Sequence, residues 1–385
     1  MSELPAPDAD ALAHSERLRH VMVERIRQHG MLSFADYMSQ ALYEPGLGYY
    51  MAGAAKFGAE GDFITAPEVS PLFGAALANE IRGVLAHTGG GILELGAGSG
   101  KLALSILQAL QDVDDISYVI LEPSADLVSR QQELLREGLE ASVFQRIQWV
   151  DALPDSFTGV IVANEVMDAL PVERFRQSEA GLLQLCVNES LETVTRPANE
   201  ALQTALDGIE TDLGEPLSDG YQSEVCLLLK PWLASLAQTL KQGVMLLIDY
   251  GYPRREYYLP ERIQGTLACY YRHRTHDDPF QWPGLQDITA HVDFTAVAEA
   301  GVAQELDLLG YASQSAFLLD NGLLDLVEQK NARMSREMDK ISLARAVKTL
   351  TLPGEMGERF QVMALGRGYD LRLRGFSSQD LSYRL

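Results

Sequence analysis

Glycines, carboxylates and one asparagine recur at the ends of apolar runs in this chain, where their chemistry would meet at one edge of a sheet. Gly96, Gly98 and Gly100 alternate directly after Ile92, Leu93 and Leu95, with Glu94 inside the run and Ala97 between the glycines. Glycine accepts positive φ and leaves the backbone bare for close approach of a ligand. Helix-like apolar spacing follows at Leu102, Leu104, Ile106, Leu107 and Leu110, so the free N–H groups of a helix start face the same spot. Glu122 closes the next apolar run, Asp151 follows Trp149 and Val150, and Asn164, Glu165 and Asp168 follow Val160–Ala163. Asp249 ends a further run, Val244–Ile248. A carboxylate at a strand end can accept from two hydroxyls at once. Strand C-termini edge the ligand crevice of a parallel α/β sheet.

Two familiar glycine loops do not fit. A phosphate-cradling loop needs Gly where Leu95 stands and Ser or Thr where Leu102 stands. A dinucleotide fingerprint needs a third Gly where Lys101 stands. The S-adenosylmethionine loop of class I methyltransferases, Glu-x-Gly-x-Gly-x-Gly, is matched by Glu94, Gly96, Gly98 and Gly100. On that reading Glu122 suits the ribose diol and Asp151 the adenine amino group. Asn164 and Glu165 then face the transferred methyl, with Asp168 and Asp249 on the same edge. His273 and His276 sit among Arg272, Arg274 and Asp277, which reads as a solvated loop rather than a metal centre.

These groups need a sheet to hold them. The runs after the glycine loop, Tyr118–Glu122, Ile147–Val150, Val160–Ala163 and Val244–Asp249, are short, apolar and separated by helical patterns. They predict parallel strands with crossover helices. Upstream, the spacing predicts a helix from Ser15 to Gly30 and a second from Ser33 through Leu42. Residues 1–13 read as a loose tail. Ser70 followed by Pro71 reads as the N-cap and first residue of a helix over Leu72–Ala86. The segments 173–222 and 252–287 break the alternation and read as insertions, the first opening with a hairpin-like Arg174–Val187. A helix from about Phe294, a strand at Glu305–Leu309 and a last strand at Arg359–Leu365 complete the pattern.

With 46% hydrophobic and 22% charged residues, the composition is that of a folded globular protein. A net charge of −23 argues against sequence-independent binding of nucleic acid or anionic lipid, which needs a basic face. No run is long enough to span a bilayer. Cys186, Cys226 and Cys269 are widely spaced and read as thiols of a reducing compartment. The N-terminal residues carry Glu3, Asp8 and Asp10 with no basic residue before His14, unlike a targeting leader. Cytoplasmic placement is the expectation.

Taken together, Leu42–Tyr50, Gly61–Ser70, Leu93–Gly100, Ala163–Pro171, Ile248–Gly251 and Thr289–Phe294 resemble the MidA family. This is the family of the mitochondrial complex I assembly methyltransferase and its bacterial relatives. The resemblance implies an α/β class I methyltransferase fold, Rossmann-like, with a mostly parallel seven-stranded sheet. It implies an N-terminal helical extension and donor lid over 1–70, and a methyltransferase domain over 71–385 carrying the two insertions. It also implies S-adenosylmethionine as donor, with Thr65, Pro67 and Glu68 of the lid beside the glycine loop. The implied acceptor is arginine on a protein, with a respiratory complex I subunit among the targets. Asn164-Glu165 is similar to the Asn-Glu that opens the acidic loop of arginine methyltransferases, and His291 looks like the histidine of their second loop. The second acidic partner departs from that pattern: Asp168 and Glu173 are the candidates, and neither keeps the spacing. A small-molecule methyltransferase and a non-enzymatic assembly factor that binds the donor stay open as alternatives.

Overall fold

The computed structural model describes residues 4–52, 64–113 and 116–385. The chain divides into two units. The first comprises 1–63, 167–230 and 252–293, and the second comprises 64–166, 231–251 and 294–385.

The second unit is built on a central sheet. Its elements begin with α1 (Ala66–Val69), α2 (Pro71–Thr88), β1 (Gly91–Leu95), α3 (Lys101–Ala109), β2 (Tyr118–Leu121) and α4 (Ala125–Gly138). β3 (Ile147–Val150), β4 (Phe157–Asn164), β5 (Leu240–Tyr252), β6 (Asp307–Ser313) and β7 (Phe360–Arg367) follow. The strands run in the order β3-β2-β1-β4-β5-β7-β6. Those from β3 to β5 are parallel, while β7 pairs antiparallel with both β5 and β6. This is the mostly parallel sheet the pattern predicts. Central strands buried on both faces must be apolar along their length, and every residue of β1 is buried. Ile92, Val160, Val162, Leu246 and Ile248 share one core with Leu77, Ile81, Leu102 and Ile106 of α2 and α3.

Strand order reverses between β1 and β4, where the chain winds to opposite sides of the sheet. A crevice opens at the C-terminal ends of strands at such a point. Leu95 is registered with Ala163, and Asn164 with Ile248, so the glycine loop and the Asn164-Glu165 corner leave adjacent strands side by side.

The first unit gathers the N-terminal helices with stretches from both expected insertions. Its first helix, Ala9–His29, starts earlier than the sequence pattern indicates, which corrects the 9–13 part of the expected loose tail. Asp8 is the cause: its carboxylate accepts from the Ala11 N–H at 2.8 Å and caps the helix. Ser33 caps the next helix, Phe34–Tyr43, by accepting from the Asp36 N–H. Glu173–Arg176 and Leu183–Val187 pair antiparallel as the hairpin-like spacing predicts. The rest of this insertion holds a strand, Thr193–Pro197, and a helix, Glu200–Leu213. Asn199 caps that helix and Leu202, Leu206 and Ile209 are its buried stripe. The insertion 252–287 also contains strands. Ala268–Tyr271 pairs antiparallel with Arg274–His276, joined by Arg272 and His273 at φ 47° and 60°, and with Asp287–Thr289.

Among the described residues no helix is long and apolar enough to cross a membrane.

Candidate functional site

The glycine loop shows why its residue types are needed. Gly96, Gly98 and Gly100 have φ of 60°, 53° and 83°, the left-handed region that side chains resist. Gly100 is the N-cap of α3 and offers no side chain to cap it, so the first N–H groups of that helix point into the crevice. Such a helix start favours the negative end of a ligand. Glu94, one residue before the loop's flank, is buried and its carboxylate accepts from the Tyr118 hydroxyl at 2.6 Å. Burial pushes the Glu94 carboxyl up to about 7; the Tyr118 hydrogen bond opposes the rise and the nearby Glu122 charge adds to it.

That rise has a measurable sign. The folded form holds the proton more tightly than the unfolded chain. The contribution to stability is therefore present below the unfolded carboxyl range and lost as pH climbs through about 7. Between pH 5 and 8, the wild type should lose about 2–3 kcal/mol of unfolding free energy more than Glu94→Gln does. Urea titrations of both proteins at the two pH values check this, and parallel profiles would refute it.

Glu122 stands at the end of β2, where its N–H donates to the Val150 carbonyl at 3.0 Å. It is buried, and its two oxygens accept from the Ser124 N–H at 3.0 Å and from the Gln131 amide at 3.2 Å. Asp151, just past β3, is exposed. Removal of the Glu122 carboxylate takes away a charge-assisted acceptor. Glu122→Ala should weaken binding of S-adenosylmethionine by about 2–3 kcal/mol. A calorimetric loss under about twofold would leave Glu122 no part in the site.

Across the switch point, Asn164 ends β4 and its side-chain amide donates to Glu165 Oε1 at 3.1 Å. Asn164 Oδ1 is buried and accepts no hydrogen bond among the described residues. A buried acceptor of this kind is costly unless a ligand or water supplies a donor. Glu165 has φ 54°, a left-handed conformation that costs a residue with a Cβ roughly 1–2 kcal/mol. Its N–H donates to the Ile248 carbonyl at 2.9 Å, and Oε1 also accepts from the Ala66 N–H at 3.4 Å. Strain of this kind persists only where the surroundings over-determine it, and it collects at functional sites.

α1 touches both sides of the crevice. Ala66, its first residue, reaches Glu165, while Glu68 accepts from the Ser99 hydroxyl at 2.5 Å and forms an ion pair with Lys101. Thr65 is the N-cap of α1 and Pro67 is buried in its first turn. Gly61, Asp62 and Phe63, the start of the expected lid, lie outside the described residues.

The second unit contains Thr65, Pro67, Glu68, Glu94, Gly96, Ala97, Gly98, Gly100, Glu122, Asp151, Asn164 and Glu165. Asp168 and His291 belong to the first unit. There the Asp168 carbonyl accepts from the Ala290 N–H at 3.0 Å, so the segment before His291 lies against Asp168. The His291 ring stacks on Tyr252, with centroids 5.3 Å apart and planes inclined by 10°. Glu173, the other candidate for a second acidic partner, is buried and accepts from the Gln184 amide at 2.9 Å. Burial pushes its carboxyl upward.

Ser99 and Gln131 carry no role in the sequence pattern, and Lys101 enters it only as the residue that breaks a dinucleotide fingerprint. Gln131 had a signal: it sits at the middle of the stripe Leu127, Gln131, Leu135, a polar residue on an apolar helix face.

A family model described as "Putative S-adenosyl-L-methionine-dependent methyltransferase" matches residues 72–312. A Burkholderia thailandensis protein solved with S-adenosyl-homocysteine bound is 40% identical. The alignment covers 100% of both chains, with a TM-score of 0.92. The rat protein named protein arginine methyltransferase NDUFAF7, mitochondrial, is 29% identical over 90% of this chain and 84% of its own. Its human counterpart is 28% identical over 90% and 82%. The residues present fit such a donor: bare glycine backbone and a helix start, a buried strand-end carboxylate, and the buried Asn164 acceptor. With the sheet order and the match over most of its length, this chain belongs to the family of S-adenosylmethionine-dependent methyltransferases.

Proposed function

We propose that this methyltransferase modifies arginine on a protein substrate. The observation that carries the reading is Glu165, a strained carboxylate fixed beside Asn164 at the end of β4, next to the glycine-loop strand. The names of the rat and human relatives support it. Bound S-adenosylmethionine supplies an already activated methyl group, so the chain's own task is to hold the nucleophile in line with it. Glu165 pairs with a guanidinium, localises its charge on one nitrogen and leaves another more nucleophilic. Asn164 holds Glu165 in place. Asp168 enters this reading through its position after β4, and His291 through the family resemblance. The net charge of −23 favours approach of a basic segment.

A respiratory complex I subunit is the target that the resemblance offers. Cytoplasmic placement is part of the same proposal; Cys186, Cys226 and Cys269, all free thiols, support a reducing compartment. The test is incubation with methyl-labelled donor and extract of the source cells, then acid hydrolysis of the labelled protein. Label in methylarginine is expected. Label confined to small molecules would favour a small-molecule acceptor, and no transfer with donor bound would favour a binding factor.

A further inference from the structure

We infer that Gln131 is the positioning residue of the donor site, the side chain that fixes the glycine loop at a set distance from the ribose carboxylate. The inference rests on Glu122 as the group that meets the ribose. Gln131 lies on α4 and is fully buried. Its Nε2 donates to the Gly98 carbonyl at 2.9 Å and to Glu122 Oε2 at 3.2 Å, so both amide hydrogens are used. Its Oε1 accepts from the indole N–H of Trp149 on β3 at 3.0 Å. One side chain therefore joins the three segments that follow β1, end β2 and form β3.

The orientation of this amide is not open. Turned over, its oxygen would face the Gly98 carbonyl and the Glu122 carboxylate, and its NH₂ would face the indole N–H. All three contacts would become repulsive. The loop is shaped to the amide as well: a Cβ on Gly100 would come within 3.3 Å of Gln131 Cγ. A bond network centred on a fully buried amide holds its members more rigidly than the same contacts in open water. What it holds here is the separation between the backbone that receives the amino-acid end of the donor and the carboxylate that receives the diol. A ligand with both ends intact gains from that fixed distance, and a ligand without the diol gains little.

The test compares two ligands by calorimetry, S-adenosyl-homocysteine and its 2′,3′-dideoxy analogue. Gln131→Met, which keeps the length and removes the amide, should weaken S-adenosyl-homocysteine about 10- to 30-fold and the analogue less than about threefold. Trp149→Phe removes the indole donor while keeping an aromatic ring, and tests the same link if Gln131→Met does not fold; it should weaken the first ligand about three- to fivefold with the same preference. Combined with Glu122→Ala, Gln131→Met should add less than about threefold, because its partner has gone. Equal losses for both ligands would reduce Gln131 to a packing role and overturn the inference, as would full additivity in the double variant. If Glu122→Ala alone leaves affinity unchanged, the ribose assignment itself fails, an outcome distinct from a loss with Glu122→Ala and none with Gln131→Met.

Discussion

Glu165→Gln is expected to leave donor affinity within about twofold of wild type while methyl transfer to protein arginine falls about 10²-fold or more. Glutamine keeps the size of the side chain and can still accept at Oε1, where the Asn164 amide and the Ala66 N–H donate. It removes the charge that fixes a guanidinium and steers its nitrogen lone pair. The backbone at φ 54° is set by β4 and by the bond to the Ile248 carbonyl, so the substitution leaves the corner intact. The wild-type rate should also fall with added salt, since attraction between an acidic protein and a basic segment is screened. Single-turnover transfer, with calorimetry of the donor alongside, separates the outcomes. Loss of donor binding would move Glu165 into the donor site. Unchanged transfer would remove it from the chemistry.

The second large effect is on the loop. Gly98→Val should abolish detectable binding of S-adenosylmethionine, a loss of more than about 10²-fold, while the circular dichroism spectrum stays that of the folded protein. Gly98 has φ 53°, and its carbonyl is fixed by the Gln131 amide, so the loop cannot rotate to relieve the new side chain. A β-branched residue resists that φ and fills space that the ligand needs. The loop lies outside the sheet, whose core of Ile92, Val160 and Leu246 is untouched, so folding should survive. Wild-type affinity in this variant would overturn the glycine-loop assignment.

The central sheet was legible in the sequence because buried parallel strands must be largely apolar runs, and β1 to β5 each carry such a run, interrupted by Glu94 in β1 and by Gln148 in β3. The loop was legible because three alternating positive φ angles leave few alternatives to glycine. Ser70 with Pro71 marked the start of α2 through capping chemistry alone. The elements inside the insertions were hidden for a different reason. The helix Glu200–Leu213 buries only Leu202, Leu206 and Ile209, too thin a stripe to stand out against its polar face. The turn at Arg272 and His273 carries positive φ on residues that do not announce it. Gln131 was overlooked because its role depends on three partners at Gly98, Glu122 and Trp149, far apart in the chain and joined only by the fold. Asp168 is placed at the strand-end edge by its position after β4 and His291 by resemblance alone; both fall within the first unit.

A crystal structure of this protein with S-adenosyl-homocysteine bound tests the account of the donor site most directly. The ribose hydroxyls should lie within hydrogen-bond reach of Glu122, with the amino-acid end against the backbone from Gly96 to Gly100 and the Glu165 carboxylate making no contact with the ribose. A ribose held away from Glu122, or a ligand seated off the glycine loop, would contradict it.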